Sequence, residues 1–169
     1  MRHWGAILLG TILAAGLWSS PAAAERLEGE LDGAEREWFI LREDGDASAT
    51  FTDMGGGDFH IDIVGFVDPD GRKSRDSLSI SVALKDGEVA HYDILNLIGT
   101  SAMPPVYTSE GADVRLTLES FAVDGGIARV VGRVQGTLAL QEALGEEPNL
   151  EEGVDVAVEF DIAASRIEY

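Results

Sequence analysis

Gly126-Ile127-Ala128-Arg129-Val130-Val131-Gly132-Arg133-Val134-Gln135-Gly136-Thr137-Leu138-Ala139-Leu140-Gln141 is the longest patterned stretch of the chain. Its even positions are Ala128, Val130, Gly132, Val134, Gly136, Leu138 and Leu140, and its odd positions include Arg129, Arg133, Gln135 and Thr137. Side chains on a strand alternate between faces, so one face is apolar and the other mostly polar, with Arg129 and Arg133 in solvent. Gly132 and Gly136 fall on the apolar face, where glycine marks a bend, a bulge or a group packed close to the backbone. A straight strand of this length would run roughly 50 Å, far beyond the usual strand of about 5–6 residues. The reading is a central strand that coils or kinks, passing from one sheet to another or turning a barrel corner.

Alternation spreads outward from this stretch. Leu78, Ile80, Val82 and Leu84 alternate with Ser77, Ser79, Ser81 and Ala83, which reads as a half-buried strand. Val154, Val156, Val158, Phe160 and Ile162 do the same against Asp155, Glu159 and Asp161. Val114, Leu116 and Leu118 share one phase and Phe121 and Val123 the other, so a β-bulge is expected near Ser120. Further strands are expected at Arg26–Leu31, Glu37–Leu41, Ala47–Thr52, Phe59–Val67 and Val89–Ile98, with a short last one at Arg166–Tyr169. Asp32-Gly33, Asp44-Gly45, Asp68-Pro69-Asp70-Gly71, Asp86-Gly87 and Asp124-Gly125 supply turns between them. Only Gln141–Leu144 suggests a helical turn. Strands at intervals of roughly 8–12 residues indicate an antiparallel β-sandwich of about 8–11 strands, or alternatively a closed or partly open β-barrel. Leu78, Ile80, Val82, Val130, Val134, Val156, Val158 and Phe160 are expected to share one core, with Trp38 or Phe39 as its large residue.

The first 24 residues read differently. Arg2 and His3 precede an apolar run from Trp4 to Trp18, followed by Ser19-Ser20-Pro21 and Ala22-Ala23-Ala24. A basic start, an apolar centre shorter than a membrane span and a small-residue end describe a secretory signal peptide cut after Ala24. Residues 25–169 then form a single all-β domain with no later stretch apolar enough to span a bilayer. The chain has no cysteine, which removes disulfides and cysteine-based metal or nucleophile chemistry. An exported chain without disulfides fits a bacterial periplasm or medium better than an animal secreted domain.

All 31 acidic residues follow Ala24, against 11 basic ones once Arg2 is set aside, giving 11 − 31 = −20. Such a field repels nucleic acid and anionic membrane surfaces and admits cationic ligands, divalent metals or a basic protein partner.

One motif carries sharper chemistry. His60-Ile61-Asp62 and His91-Tyr92-Asp93 contain the only histidines after the leader, and in each the imidazole and carboxylate share a strand face. Were the two strands neighbours, His60, Asp62, His91 and Asp93 would converge as ligands suited to Zn²⁺ or Cu²⁺. The expectation set against it is diffuse attraction of divalent ions to an acidic chain, weak, abolished by salt and indifferent to either histidine. Asp68-Pro69-Asp70-Gly71 lacks the EF-hand spacing and lies beside Arg72, Lys73 and Arg75, so it reads as a turn. Gly-x-Ser-x-Gly, Gly-x-Gly-x-x-Gly and phosphate-loop patterns are absent. Trp38 follows Arg36-Glu37, not the Gly-x of lipocalin-like barrels.

The function expected is that of an exported, non-catalytic binding or interaction module without a cofactor. The alternatives are a periplasmic metal-binding protein using the His-x-Asp pairs and a carboxylate-dependent enzyme. Intact mass of the protein from its native host is expected to give a chain starting at Glu25. A retained Met1 in the membrane fraction would overturn the leader.

Overall fold

The computed structural model describes residues 25–43, 46–101 and 103–168, so residues 1–24, where a signal peptide is expected, Asp44-Gly45, Ala102 and Tyr169 lie outside the described residues. Eleven strands are present there, and no helix. They are β1 (Arg26–Leu31), β2 (Ala34–Trp38), β3 (Arg42–Glu43), β4 (Asp46–Ala47), β5 (Ala49–Gly55) and β6 (Asp58–Gly65). β7 (Leu78–Lys85), β8 (Glu88–Leu97), β9 (Val106–Asp124), β10 (Ile127–Gln141) and β11 (Asn149–Arg166) complete the set. Among the described residues no helix is long and apolar enough to cross a membrane.

Nine strands form one sheet in the order β10-β9-β8-β7-β6-β5-β11-β1-β2, and β10 also pairs with β11, so the sheet closes into a ring. The closure is uneven. β10 pairs with β9 and β11 along nearly its whole length. β8 meets β9 only over Leu95–Leu97 and Val106–Thr108, and β5 meets β11 only at Thr50–Phe51 and Ser165–Arg166, in parallel. The result lies between a sandwich and a partly open barrel: a β5–β8 meander and a β9–β10–β11–β1–β2 sheet, joined at two narrow seams.

The core is the inward phase of every long strand. Leu78, Ile80, Val82, Val130, Val134, Val156, Val158 and Phe160 are buried together, joined by Leu27, Phe51, Ile61, Ile63, Leu138, Ile162 and Trp38. Trp38 is the large residue of the expected pair, and its Nε1 donates to the Asp76 carbonyl at 2.8 Å. Gly132 explains how β10 fits. A Cβ there would lie 2.5 Å from Phe160 Cζ and 2.6 Å from the Thr117 carbonyl oxygen, so the absence of a side chain admits the ring. The bulge falls opposite Val131/Gly132, where Ser120 and Leu118 are paired and Glu119 is skipped, one residue from its expected place. It turns Phe121 toward Phe59 (centroids 4.9 Å apart) and Phe51 (6.3 Å).

Three expectations are corrected. The second strand spans Ala34–Trp38, because the Asp32-Gly33 turn pairs Leu31 with Ala34 directly; Phe39 makes only an isolated bridge to Phe66. Gln141–Leu144 is no helical turn: Gln141 ends β10 and a simple turn follows, with Glu146 N donating to the Ala143 carbonyl. No strand begins at Arg166; that residue closes β11, and Ile167 donates its N–H to the Phe51 carbonyl.

Arg129 and Arg133 are exposed, as the alternation requires. Arg129 donates twice to Asp161, at 2.9 and 2.6 Å, and these hydrogen bonds hold the Asp161 carboxyl below its ordinary value. A depressed carboxyl contributes stability above its unfolded pKa of about 3.9, and the contribution disappears as pH falls through the folded value. Phe160→Ala is expected to cost about 3–5 kcal/mol in denaturant unfolding at neutral pH. Arg129→Ala is expected to cost far less than that at pH 7, because an exposed ion pair is screened by solvent and salt. The Arg129→Ala difference should begin to shrink as pH falls below roughly 4 and vanish only once pH has passed below the lower folded value of Asp161; a difference that does not shrink in acid would show that it does not arise from the ion pair.

Candidate functional site

Two outward-facing arrays collect the chemistry, and each is fixed by strand register. The first lies on the β5–β8 meander. Ile61 and Ile63 point inward on β6, which turns His60 and Asp62 outward; the same phase on β8 turns His91 and Asp93 out while Ile94 is buried. Pairing sets His60 opposite Ala83 and Ala83 opposite His91, while Asp62 is opposite Ser81 and Ser81 opposite Asp93. The two His-x-Asp pairs are therefore on one face and in one register. They are not on adjacent strands, because β7 runs between them. Ala90 is skipped in the β7–β8 pairing, a bulge next to His91.

Each histidine faces its own aspartate, His60 Nε2 at 3.2 Å from Asp62 Oδ2 and His91 Nε2 at 3.0 Å from Asp93 Oδ2. Ser81 joins the first pair, its Oγ donating to Asp62 Oδ1 at 2.8 Å and lying 3.3 Å from His60 Nε2. Serine, histidine and aspartate in contact suggest a nucleophilic triad, but the geometry is different. A triad uses one imidazole nitrogen for serine and the other for the carboxylate. Here Nε2 meets both, and the carboxylate accepts the serine hydrogen bond directly. As the side chains stand, no three metal-ligating groups gather around one point among the described residues. Ser81 was not singled out from sequence. Its only signal was its place in the polar phase Ser77-Ser79-Ser81.

The second array lies on the outer face of β2, β1, β11 and β10. Register places Glu37, Glu28, Glu159 and Arg133 in one row and Glu35, Glu30, Ala157 and Gln135 in the next. Glu28–Glu37, Glu30–Glu35 and Glu28–Glu159 are directly opposite like charges, an arrangement that destabilises a sheet. These rows, with Arg36 and the backbone of Gly29 and Val158, line an open groove of about 630 Å³. A Cβ on Gly29 would lie 2.1 Å from the Ala157 carbonyl oxygen, so β1 and β11 approach closely at the groove floor. Arg133 is engaged by Glu119 at 3.0 Å and Arg26 reaches Glu28 at 3.4 Å. Among the described residues Glu30, Glu35, Glu37 and Glu159 make no ion pair.

β2 also ends the strand order, so one of its edges has no ladder. Phe39 exchanges both hydrogen bonds with Phe66, so by period two the polar backbone of Glu37 and Glu35 points to the same open side. Pairing stops there because Asp68-Pro69 leads the other chain away, and proline has no N–H to donate.

The Asp68 turn is self-contained. Lys73 Nζ bonds Asp68 Oδ2 at 2.7 Å and Asp70 N bonds Oδ1 at 3.0 Å, which together hold the Asp68 carboxyl low. No family model, curated protein or solved structure matches the chain.

Proposed function

We propose that the protein is an exported, non-catalytic binding module whose partner is a cationic polypeptide segment, held on the outer face of β2, β1, β11 and β10. The observation that carries this reading is the pair of carboxylate rows over the groove. Five glutamates and two arginines line it, and three pairs of glutamates are directly opposed. A sheet gains nothing from such pairs. Lysine or arginine side chains entering the groove would remove the repulsion and supply charge-assisted hydrogen bonds.

The free edge of β2 fits the same partner. An extended segment can pair with the backbone of Glu35 and Glu37, and its alternate residues then fall on the acidic face. The exposed carboxylates argue against a glycosidase-type acid, which requires a desolvated carboxyl. The leader-like residues 1–24 and the acidic, cysteine-free chain support export, and an exported module meets basic partners outside the cytoplasm.

The test is fluorescence anisotropy with a labelled peptide of alternating lysine and valine, measured against its glutamate counterpart. The lysine peptide is expected to bind, weakening steadily as salt rises, and the glutamate peptide is expected not to bind. Replacing Glu28, Glu30, Glu35 and Glu37 by Gln is expected to weaken binding at least tenfold. The same variant should be more stable, by about 0.2–1 kcal/mol for each relieved pair. Equal binding by the variant, or by both peptides, would overturn the proposal.

A further inference from the structure

We infer that Glu119, the residue left out of the β9–β10 ladder, is a positioning residue of the acidic groove: it holds Arg133 away from Glu159 and so leaves Glu159 open to the partner's cation. This role rests on the reading of the groove as a site for basic segments. Arg133 stands on the outer face of β10, between two strands. On the β11 side Glu159 is directly opposite, with Asp161 and Ala157 on the diagonals. On the β9 side Thr117 is directly opposite, and Glu119 lies beyond it at the bulge.

Nothing in the register forces the arginine toward β9. Directly opposed residues have Cβ atoms about 4.5–5.5 Å apart, so the guanidinium can reach Glu159 without any movement of the backbone. Arg129, on the same face of the same strand, does lean toward β11 and takes Asp161 with two hydrogen bonds. Arg133 leans the other way, its Nη1 donating to Glu119 Oε1 at 3.0 Å. Glu159 is left without an ion pair among the described residues, although a cation stands directly opposite it. Glu119 has no residue of its own across the ladder, and among the described residues its carboxylate is engaged only by Arg133.

Arg133 thus has two carboxylates within reach, and its choice sets the charge of the groove. Held by Glu119, it leaves Glu37, Glu28 and Glu159 as an unbroken row of three carboxylates. Turned to Glu159, it would neutralise the end of that row and take the place of the partner's lysine or arginine. Glu119 itself stands two strands from Glu159, roughly 10 Å across the sheet. That exceeds the Debye length of about 8 Å at physiological ionic strength, so its own charge adds little in the groove. Its influence passes through Arg133.

The experiment is a double-mutant cycle of Glu119→Gln and Arg133→Gln, read with the labelled lysine–valine peptide in about 0.15 M NaCl. Glu119→Gln is expected to weaken binding roughly two- to fivefold, the scale of one exposed ion pair. Arg133→Gln should bind at least as tightly as the unaltered chain, and the double variant should bind like Arg133→Gln alone. A Glu119→Gln effect of the same size with or without Arg133, or no effect at all, would overturn the role. A second cycle needs no peptide. Glu159→Gln should raise the urea midpoint of the unaltered chain by relieving the opposition of Glu28 and Glu159. In the Glu119→Gln chain that gain should disappear, because the same change then removes the new partner of Arg133. An equal gain in both chains would overturn the exchange of Arg133, whatever the peptide does. Disappearance of the gain without any peptide binding by the unaltered chain would uphold the exchange and overturn only the groove as a site for basic segments.

Discussion

The ring of Phe160 lies against the backbone of Gly132, and the long sheet depends on that contact. β9, β10 and β11 are far longer than ordinary strands, and a sheet of such strands must coil strongly to bury one face. In the β10–β11 ladder Gly132 stands directly opposite Phe160, near the middle of both strands. Any side chain at position 132 would meet both Phe160 and the Thr117 carbonyl, so the space is taken by the ring alone. Once Phe160 is seated, Val130 and Val134 lie on either side of it in the same inward phase, and Val158 and Ile162 do so on β11. The bulge at Glu119 then turns Phe121 inward, and Phe51, Phe59 and Phe121 pack at one end of the core.

Fixing the inner phase fixes the outer one as well. Strand period is two, so a slip of one residue would exchange the faces and bury the charges. Burial of Leu27 and Leu31 on β1 puts Glu28 and Glu30 outside, and burial of Val158 and Phe160 puts Glu159 there too. Burial of Ile61 and Ile63 exposes His60 and Asp62 in the same manner. Neither polar array is needed to hold the core together. Both are placed by it, which is why a rigid arrangement of exposed groups can persist on a face that gains no packing energy of its own.

Much of this was legible in the chain, for a physical reason. Alternation is local, so β7, β10 and β11 could be read from a few consecutive residues, and the phase change from Leu118 to Phe121 revealed its own bulge. β2 was misplaced because Ala34-Glu35-Arg36-Glu37 carries no apolar phase; the strand exists through its tight turn and its partner β1, not through its composition. The skipped residues between Thr108 and Asp113 on β9 left no pattern either. The arrays themselves were half visible. His-x-Asp could be seen twice in the sequence, but Ser81 and Ala83 belong to the array only because β7 runs between β6 and β8. The glutamate rows were invisible, since Glu28 and Glu37 face each other across a hairpin whose second strand carries no apolar phase, and Glu159 joins them only through a pairing that spans most of the chain.

Distance separates what the two arrays do from what the whole charge does. At physiological ionic strength the Debye length is about 8 Å, so the field of the chain as a whole is largely screened beyond the surface. Directly opposed residues on neighbouring strands have Cβ atoms about 4.5–5.5 Å apart, inside that length. Glu28 opposite Glu37 and Glu30 opposite Glu35 therefore still repel at salt concentrations where the net charge has lost its reach. The His60–Asp62 and His91–Asp93 contacts, at 3.2 and 3.0 Å, are shorter still. Salt is thus expected to act in graded fashion: it weakens the long-range attraction of the whole charge first, and the close contacts within each array later. A response that fell uniformly with salt at every site would mean that neither array acts locally, and that only the net charge of the chain attracts cations.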